Sequence, residues 1–373
     1  MISKKVGIVE SIKSSDDNLE DIRVNVSGQI QRAYNYPKMT GKVAVGDEVI
    51  LNTTAVELSL GTGGYHFVIS NLNNMESDLD SAGHIMKLRY TPYQIVVDSV
   101  EDHESKYHDV INNFESLDNL PVVVGTLHSM LTPFVASYKR NNPDKKIAYI
   151  MTDGAALPLY LSMNVKNLKQ NGLIDSTITI GNAFGGEIMG CNEKYCRNCN
   201  RMTKSNNTAP SDEAAKEIAK ADVVFVSMGP GIAGTGTKYG FTGIEQGQIL
   251  DAVKKLGGNP IAIPRISFAD KRDRHQGISH HSITVFDKIV NVDVNIPITI
   301  YESQKLNKIK EQIKENKLDE KHNIIFIENN KCKEDLEYFG LKVKSMGRNY
   351  DEDNEFFDSA SSAAYYLMEV CHD

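Results

Sequence analysis

Along roughly the first seventy residues, apolar and polar positions alternate with a period of two. KKVGIVES and DIRVNVSG show it first, QIQRAYNYP follows, and VAVGDEVILNTT and GYHFVIS complete the set. Such alternation puts successive side chains on opposite faces of a strand. Gly46-Asp47, between two apolar runs, is a turn signal. The spacing predicts a small β-barrel or sandwich over residues 1–74. The stretch NLNNMESDLDSAG (71–83) is polar and rich in turn formers, and marks a hinge.

From about residue 84 the rhythm changes. YQIVVDSV, LPVVVG, KIAYIM, STITIG, DVVFVSM and NPIAIP are short and almost continuously apolar, as expected of strands buried on both faces of a parallel sheet. Helical periodicity lies between them. Residues 156–171 carry Leu157, Leu161, Val165 and Leu168 on one face, and 212–220 and 244–256 follow. A lysine-rich helix (303–317), the strands NIIFIE and LKVKSM and a helix over 354–369 extend the pattern. The expected architecture is α/β: a small N-terminal β-barrel-like domain, then a doubly wound, mostly parallel Rossmann-like α/β domain over 84–373.

Composition narrows the function classes. The chain has 373 residues, of which 40% are hydrophobic and 24% charged, and a net charge of −8. That balance argues against salt-driven wrapping of nucleic acid. Arg32, Tyr34, Tyr36 and Lys38 form only a small aromatic-basic patch. MISKKVGIVE has no apolar core of the kind a signal peptide needs, and no run approaches the roughly 18 apolar residues of a membrane span. Five cysteines, an odd number with three clustered, do not form a secreted disulfide framework. The expectation is a soluble cytoplasmic protein without membrane partners, with homo-oligomerisation left open.

Chemistry concentrates after the apolar runs. VVVG leads into TLHSMLTP, AYIM into TDGAALP, TITIG into NAFGGE, VFVSM into GPGIAGTGT, and IAIP into PRISFADKRDRHQGISHH. Open α/β sheets bind ligands at the carboxyl ends of their strands, so these five loops are the default site. In GPGIAGTGT the backbone of Gly229, Gly231, Gly234, Thr235, Gly236 and Thr237 is a candidate anion cradle opening a helix. It is neither a Walker loop nor a dinucleotide fingerprint; a purely structural turn is the alternative. The glycines at 61, 63 and 64 suggest a tight turn or a docking role.

The densest loop, 264–281, holds Arg265, Arg272 and Arg274, whose guanidinium forks suit an anion. Asp270 and Asp273 are there to orient them or to act as a base. His275, His280 and His281 are candidates for acid–base work or metal ligation. As neighbours on an extended strand, His280 and His281 would face opposite ways. His128, Asp153 and Glu187 are further catalytic or ligand candidates from the other loops. A divalent metal, zinc or similar, is the cofactor these residues suggest. Cys191, Cys196 and Cys199 form a second cluster, a fragment of a zinc or iron–sulfur motif. The bland readings are a solvated charged turn for 264–281 and free thiols on a mobile insertion for the cysteines.

These stretches, from YNYPKMTG and GDEVILNTTAVELSLGTGGYHFV through GHIMKLRYTP, LHSM, TDGAALP, GNAFGGE and MGPGIAGTGT to RISFADKRDRHQGISHH, occur in a fixed order. Together they resemble the bacterial domain-of-unknown-function family thirty-eight sixty-six over most of residues 1–285. The resemblance implies a β-rich N-terminal part and an α/β C-terminal part, but no activity and no site residue. The cysteine-bearing segment near 190–211 departs from the family pattern, which allows it a role of its own.

The functional expectation is an enzyme acting on a small anionic, phosphate-bearing metabolite or nucleotide at the carboxyl edge of the sheet, by metal-assisted hydrolysis. The alternative is a non-catalytic metabolite sensor using the same pocket.

Overall fold

The computed structural model of the chain describes residues 1–61, 63–78, 83–190 and 212–370. It divides into two compact units, Met1–Ala82 with Leu88–Val97, and Gly83–Lys87 with Asp98–Asp373.

In the first unit, β1 (Lys4–Ser15), β2 (Glu20–Val26), β3 (Gln29–Asn35), β4 (Glu48–Asn52) and β5 (Tyr65–Asn71) close into a barrel in the order β1-β2-β3-β5-β4. Pairing is antiparallel except between β3 and β5, which run parallel. The inward half of the alternation, Val9, Ile22, Val24, Ala33, Val49, Leu51 and Val68, fills the barrel. The turn between β2 and β3 holds Ser27 and Gly28 at φ of 53° and 86°, the left-handed pair that a tight two-residue hairpin requires. The aromatic-basic patch is only partly on the surface. Tyr34 stacks on Tyr65 at 4.0 Å with Arg32 over the same ring, whereas Tyr36 is buried.

The second unit is built on eight parallel strands: β6 (Pro121–Val124), β7 (Ile147–Thr152), β8 (Ser176–Thr179), β9 (Ile188–Met189), β10 (Val223–Met228), β11 (Asn259–Ala262), β12 (Asn295–Thr299) and β13 (Asn323–Ile327). Their order is β9-β8-β7-β10-β6-β11-β12-β13. Along the strands, Val123, Tyr149, Met151 and Phe225 meet one layer, and Val122, Val124, Ala148, Ile150, Val224 and Val226 meet the other. One layer contains α1 (Leu131–Asn141), α2 (Met163–Gln170) and α6 (Asn354–Val370); the other contains α3 (Glu245–Lys255), α4 (His280–Lys288) and α5 (Ser303–Glu315). The fold is therefore the doubly wound, Rossmann-like sheet that the apolar runs predict.

Three details of the prediction are corrected. YQIVVDSV contributes only Ile95–Val97, a short strand outside the eight-stranded sheet. LKVKSM forms no strand; a single bridge joins Ser345 and Arg348. The helix expected over 156–171 starts at Met163, because Ser162 caps it through the Val165 amide. Conversely, β12 (NIPIT) and α1 (LTPFVASYKRN) complete the sheet and its cover without having been predicted.

The order of strands sets the crevice. The connection leaving β6 runs towards β7, and the one leaving β11 runs towards β12, on the other side. Adjacent strands whose connections diverge define the switch point where ligands lodge. Here it lies between the carboxyl ends of β6 and β11. Gln246 of α3 ties those two ends together, its Nε2 donating to Val124 O at 2.8 Å and Ile263 O at 3.0 Å.

Candidate functional site

The chain leaves β11 through Ile263 and Pro264 and reaches Arg265, whose side chain is turned inward and only 9% exposed. A guanidinium there needs partners for nearly all of its donors. Its Nη2 donates to Asp270 Oδ2 at 3.1 Å, its Nη1 to His275 Nδ1 at 2.7 Å, and Ser279 Oγ lies 3.5 Å from the same Nη1. Asp270 is the hinge of the loop. Besides Arg265 it accepts from Arg272 N at 3.1 Å, Nε at 3.0 Å and Nη2 at 2.8 Å. The Arg272 hydrogen bonds hold its carboxyl well below the usual carboxylate range. Asp270 therefore orients two arginines and has no basicity to offer as a general base.

The three histidines converge beside this clamp. Their candidate ligand nitrogens all lie within 4.8 Å of one another. His280 and His281 are the first two residues of α4, not neighbours on a strand. In a helix the side chains of its first turn can fan over one end, and both rings meet His275, at 4.9 Å and 5.3 Å. Ser279 caps α4 through the His281 amide and also hydrogen-bonds His275 Nδ1 at 2.8 Å. His281 stacks on Phe241 at 4.2 Å, at the root of the glycine-rich loop. His280 Nε2 is buried with no hydrogen-bond partner.

The electrostatics favour an anion. Burial, and then the neighbouring arginines, push His275 down to about 3. Burial and His280 hold His281 at about 4, and burial with Arg274 lowers His280. All three rings are thus neutral at physiological pH. Arg265 and Arg272 against Asp270 leave one positive charge, and exposed Arg274 adds a second. A guanidinium can only donate, so Arg265 makes Nδ1 of His275 an acceptor and places that ring's proton on Nε2. His275 as it stands presents an N–H to a ligand. To bind a cation through Nε2 it would have to give up Arg265 and shift its proton, while His280 and His281 can ligate without such a change.

The comparisons with known proteins bear on the chain as a whole. A family model described as "Protein of unknown function (DUF3866)" matches residues 32–364. The chain belongs to this family. No curated protein and no solved structure matches it. The DUF3866 match takes in all eight strands of the sheet and every residue of the clamp.

The remaining candidates of this DUF3866 chain are distributed differently from the expectation. His128 is buried at the end of β6 and bonds Tyr149 and Ser162. Asp153, at the carboxyl end of β7, accepts from Asn182 N at 2.9 Å and so fastens the loop after β8. Glu187 is not on the carboxyl edge. It pairs with Lys169 and accepts from Thr177 N at 3.0 Å, which ties it to the first half of β8. Among the described residues, no hydrogen bond or ring contact of these three reaches the histidine cluster. The loop 229–237 does not open a helix either, since α3 begins only at Glu245. It folds on itself: Thr235 N donates to Gly240 O at 2.7 Å, and the Thr235 and Thr237 hydroxyls face each other at 2.9 Å. Gly229 is needed because an added Cβ would sit 2.3 Å from Ala156 O, and Gly231 and Gly236 take positive φ. Cys191, Cys196 and Cys199 lie outside the described residues; Cys332 is buried in the core.

One acidic residue was missed. Glu245, the first residue of α3, accepts from Thr152 Oγ1 at 2.6 Å and is pushed up to about 7, chiefly by burial. Its only sequence signal is an acidic residue at a helix start after TGI, which reads as an ordinary helix-end charge.

Proposed function

We propose that this protein is an enzyme that binds the phosphate group of a small metabolite at the Arg265–His281 loop and hydrolyses it. The observation that carries the reading is the convergence of three neutral histidines on the Arg265–Asp270–Arg272 clamp at the switch point. Asp270 holds Arg272 by Nε and Nη2, leaving Nη1 of an exposed side chain to grip a phosphate oxygen, with Arg274 alongside. His275 Nε2–H donates to the same anion, since Arg265 fixes its tautomer.

In this reading His280 is the proton carrier. Its Nε2 has no partner in the protein, so it accepts a proton from water as the water oxygen bonds to phosphorus. The proton then passes to the leaving oxygen as the P–O bond breaks. Extra negative charge on the transferring group is met by the arginines. A divalent ion held by His280 and His281 is a variant of the same reading, decided by metal content.

The test is a screen of phosphomonoesters, nucleotides and phosphosugars for thermal stabilisation and for phosphate release, with and without added divalent metal. Turnover lost in His280→Ala, with affinity lost in Arg272→Ala, is the expected pattern. A ligand that stabilises strongly yet is never turned over would make the protein a sensor. Unchanged affinity in both Arg272→Ala and His275→Ala would remove the site from this loop.

A further inference from the structure

On the same edge of the sheet, but on the face covered by α1, α2 and α6, His128 and Ser162 line a cavity of about 400 Å³. Ser162 Oγ accepts from Val165 N at 3.0 Å as the cap of α2 and lies 2.6 Å from His128 Nε2, to which its hydroxyl can donate. His128 Nδ1 then carries the ring proton and faces Tyr149 Oη at 2.9 Å. Tyr149 in turn is anchored at 3.3 Å to Ser227 Oγ. A hydroxyl donating to a bare imidazole nitrogen, with the other nitrogen oriented by a third group, is the arrangement that activates a serine.

We propose that Ser162 and His128 form a nucleophile–base pair that cleaves a small carboxylic ester held in this cavity. Capping alone does not account for the pair. The cap uses a lone pair of Oγ and would be served equally by Asp or Asn; it leaves the hydroxyl proton without a task. Burial keeps the ring at about 4, so it is neutral at physiological pH, with one of its nitrogens free of a proton. Of the first amides of α2, Val165 N already donates to Oγ and Lys166 N to Ser162 O, which leaves those of Met163 and Asn164 to meet a developing oxyanion. Leu127, Ile232 and Met346 offer an apolar wall for a short acyl chain, and exposed Lys344 at the rim suits an anionic end group.

In the reaction, Oγ bonds to the ester carbon as its proton moves to His128 Nε2. The alkoxide leaves with that proton, and water, deprotonated by the same nitrogen, releases the acid and restores Ser162. This chemistry is independent of the phosphate reading and needs no other reactant.

The probe is a fluorophosphonate, which forms a P–Oγ bond with loss of fluoride, applied to the full chain and read by peptide mass spectrometry. Modification at Ser162 is expected, slowed at least about 100-fold in His128→Gln and abolished in Ser162→Ala. Circular dichroism checks that each variant folds; if loss of the cap unfolds Ser162→Ala, His128→Gln decides alone. Absence of modification, modification on another serine, or a rate unchanged in His128→Gln each overturns the proposal. Histidine-cluster variants such as His280→Ala should leave the modification intact, so failure here and failure of the phosphate reading are separable.

Discussion

Replacing Asp270 by Asn keeps the shape of the clamp and removes its charge. The wild-type carboxylate is 6% exposed and faces an Arg265 side chain that is 9% exposed. In the variant the buried guanidinium loses its close counter-charge and keeps only neutral partners within hydrogen-bond reach, among them His275 Nδ1 and Ser279 Oγ. Breaking one side of a buried pair costs about 3–5 kcal/mol, because the remaining charge stays desolvated. For a domain of this size each kcal/mol lowers the melting temperature by about 2–4 °C, giving a fall of about 6–20 °C. The chain has no tryptophan, so the transition is best followed by far-ultraviolet circular dichroism. Arg272→Ala is the control: its side chain is 51% exposed, and such a pair is worth less than about 1 kcal/mol. The combined Arg265→Met, Asp270→Asn variant should recover much of the loss, since apolar groups replace buried charge well. A melting temperature lowered by less than about 2 °C in Asp270→Asn would refute the argument, as would an equal fall in Arg272→Ala.

Three further outcomes follow from the same geometry. Burial holds His128 at about 4 against an unfolded value of about 6.5, so the unfolded chain binds more protons between those values. Stability from this residue is complete above about pH 6.5 and lost as pH falls, by about 3 kcal/mol near pH 4, with His275 and His281 adding to the trend. Urea titrations from neutral to acid pH would show this, and a flat profile would contradict it. Gln246→Leu removes one donor from each of two buried carbonyls at the ends of β6 and β11, of which Val124 O keeps Ile263 N, and should destabilise by about 1–3 kcal/mol in the same titration. Gly229→Ala forces a methyl against the Ala156 carbonyl; with backbone on both sides the expected loss is about 1–3 kcal/mol, and an unaltered denaturation midpoint would be inconsistent with the contact.

The sheet was legible in the sequence because strands buried on both faces leave unbroken apolar runs, as in VVVG and DVVFVSM. NIPIT escaped because its proline and asparagine read as a turn, although the Asn295 and Pro297 positions pair with Asn323 and Ile325. Arginine and histidine density marked the loop 264–281 as a candidate, but not the internal arrangement of its side chains. That Asp270 serves the arginines depends on the loop folding back on itself, and His280 and His281 start a helix because Ser279 caps it. Glu187 was misplaced because NAFGGE doubles back to lie along β8, a reversal that glycines permit but do not announce. Ser162 and Tyr149 carried no signal at all: each is an ordinary residue until the fold brings His128 between them.

The Arg265 loop is braced by residues translated long after it. Ser359 Oγ of α6 donates to Pro264 O, and Ser267 Oγ donates to Asp353, which also receives Arg348. The clamp and its braces are thus separated by 86 to 95 positions in the chain. On a ribosome adding about 5–20 residues per second, the loop waits some seconds, exposed and with its cation unsheltered, before its supports emerge. Anything that pauses translation across that interval prolongs the life of a nascent chain whose sheet is largely formed but whose charged loop has nowhere to settle.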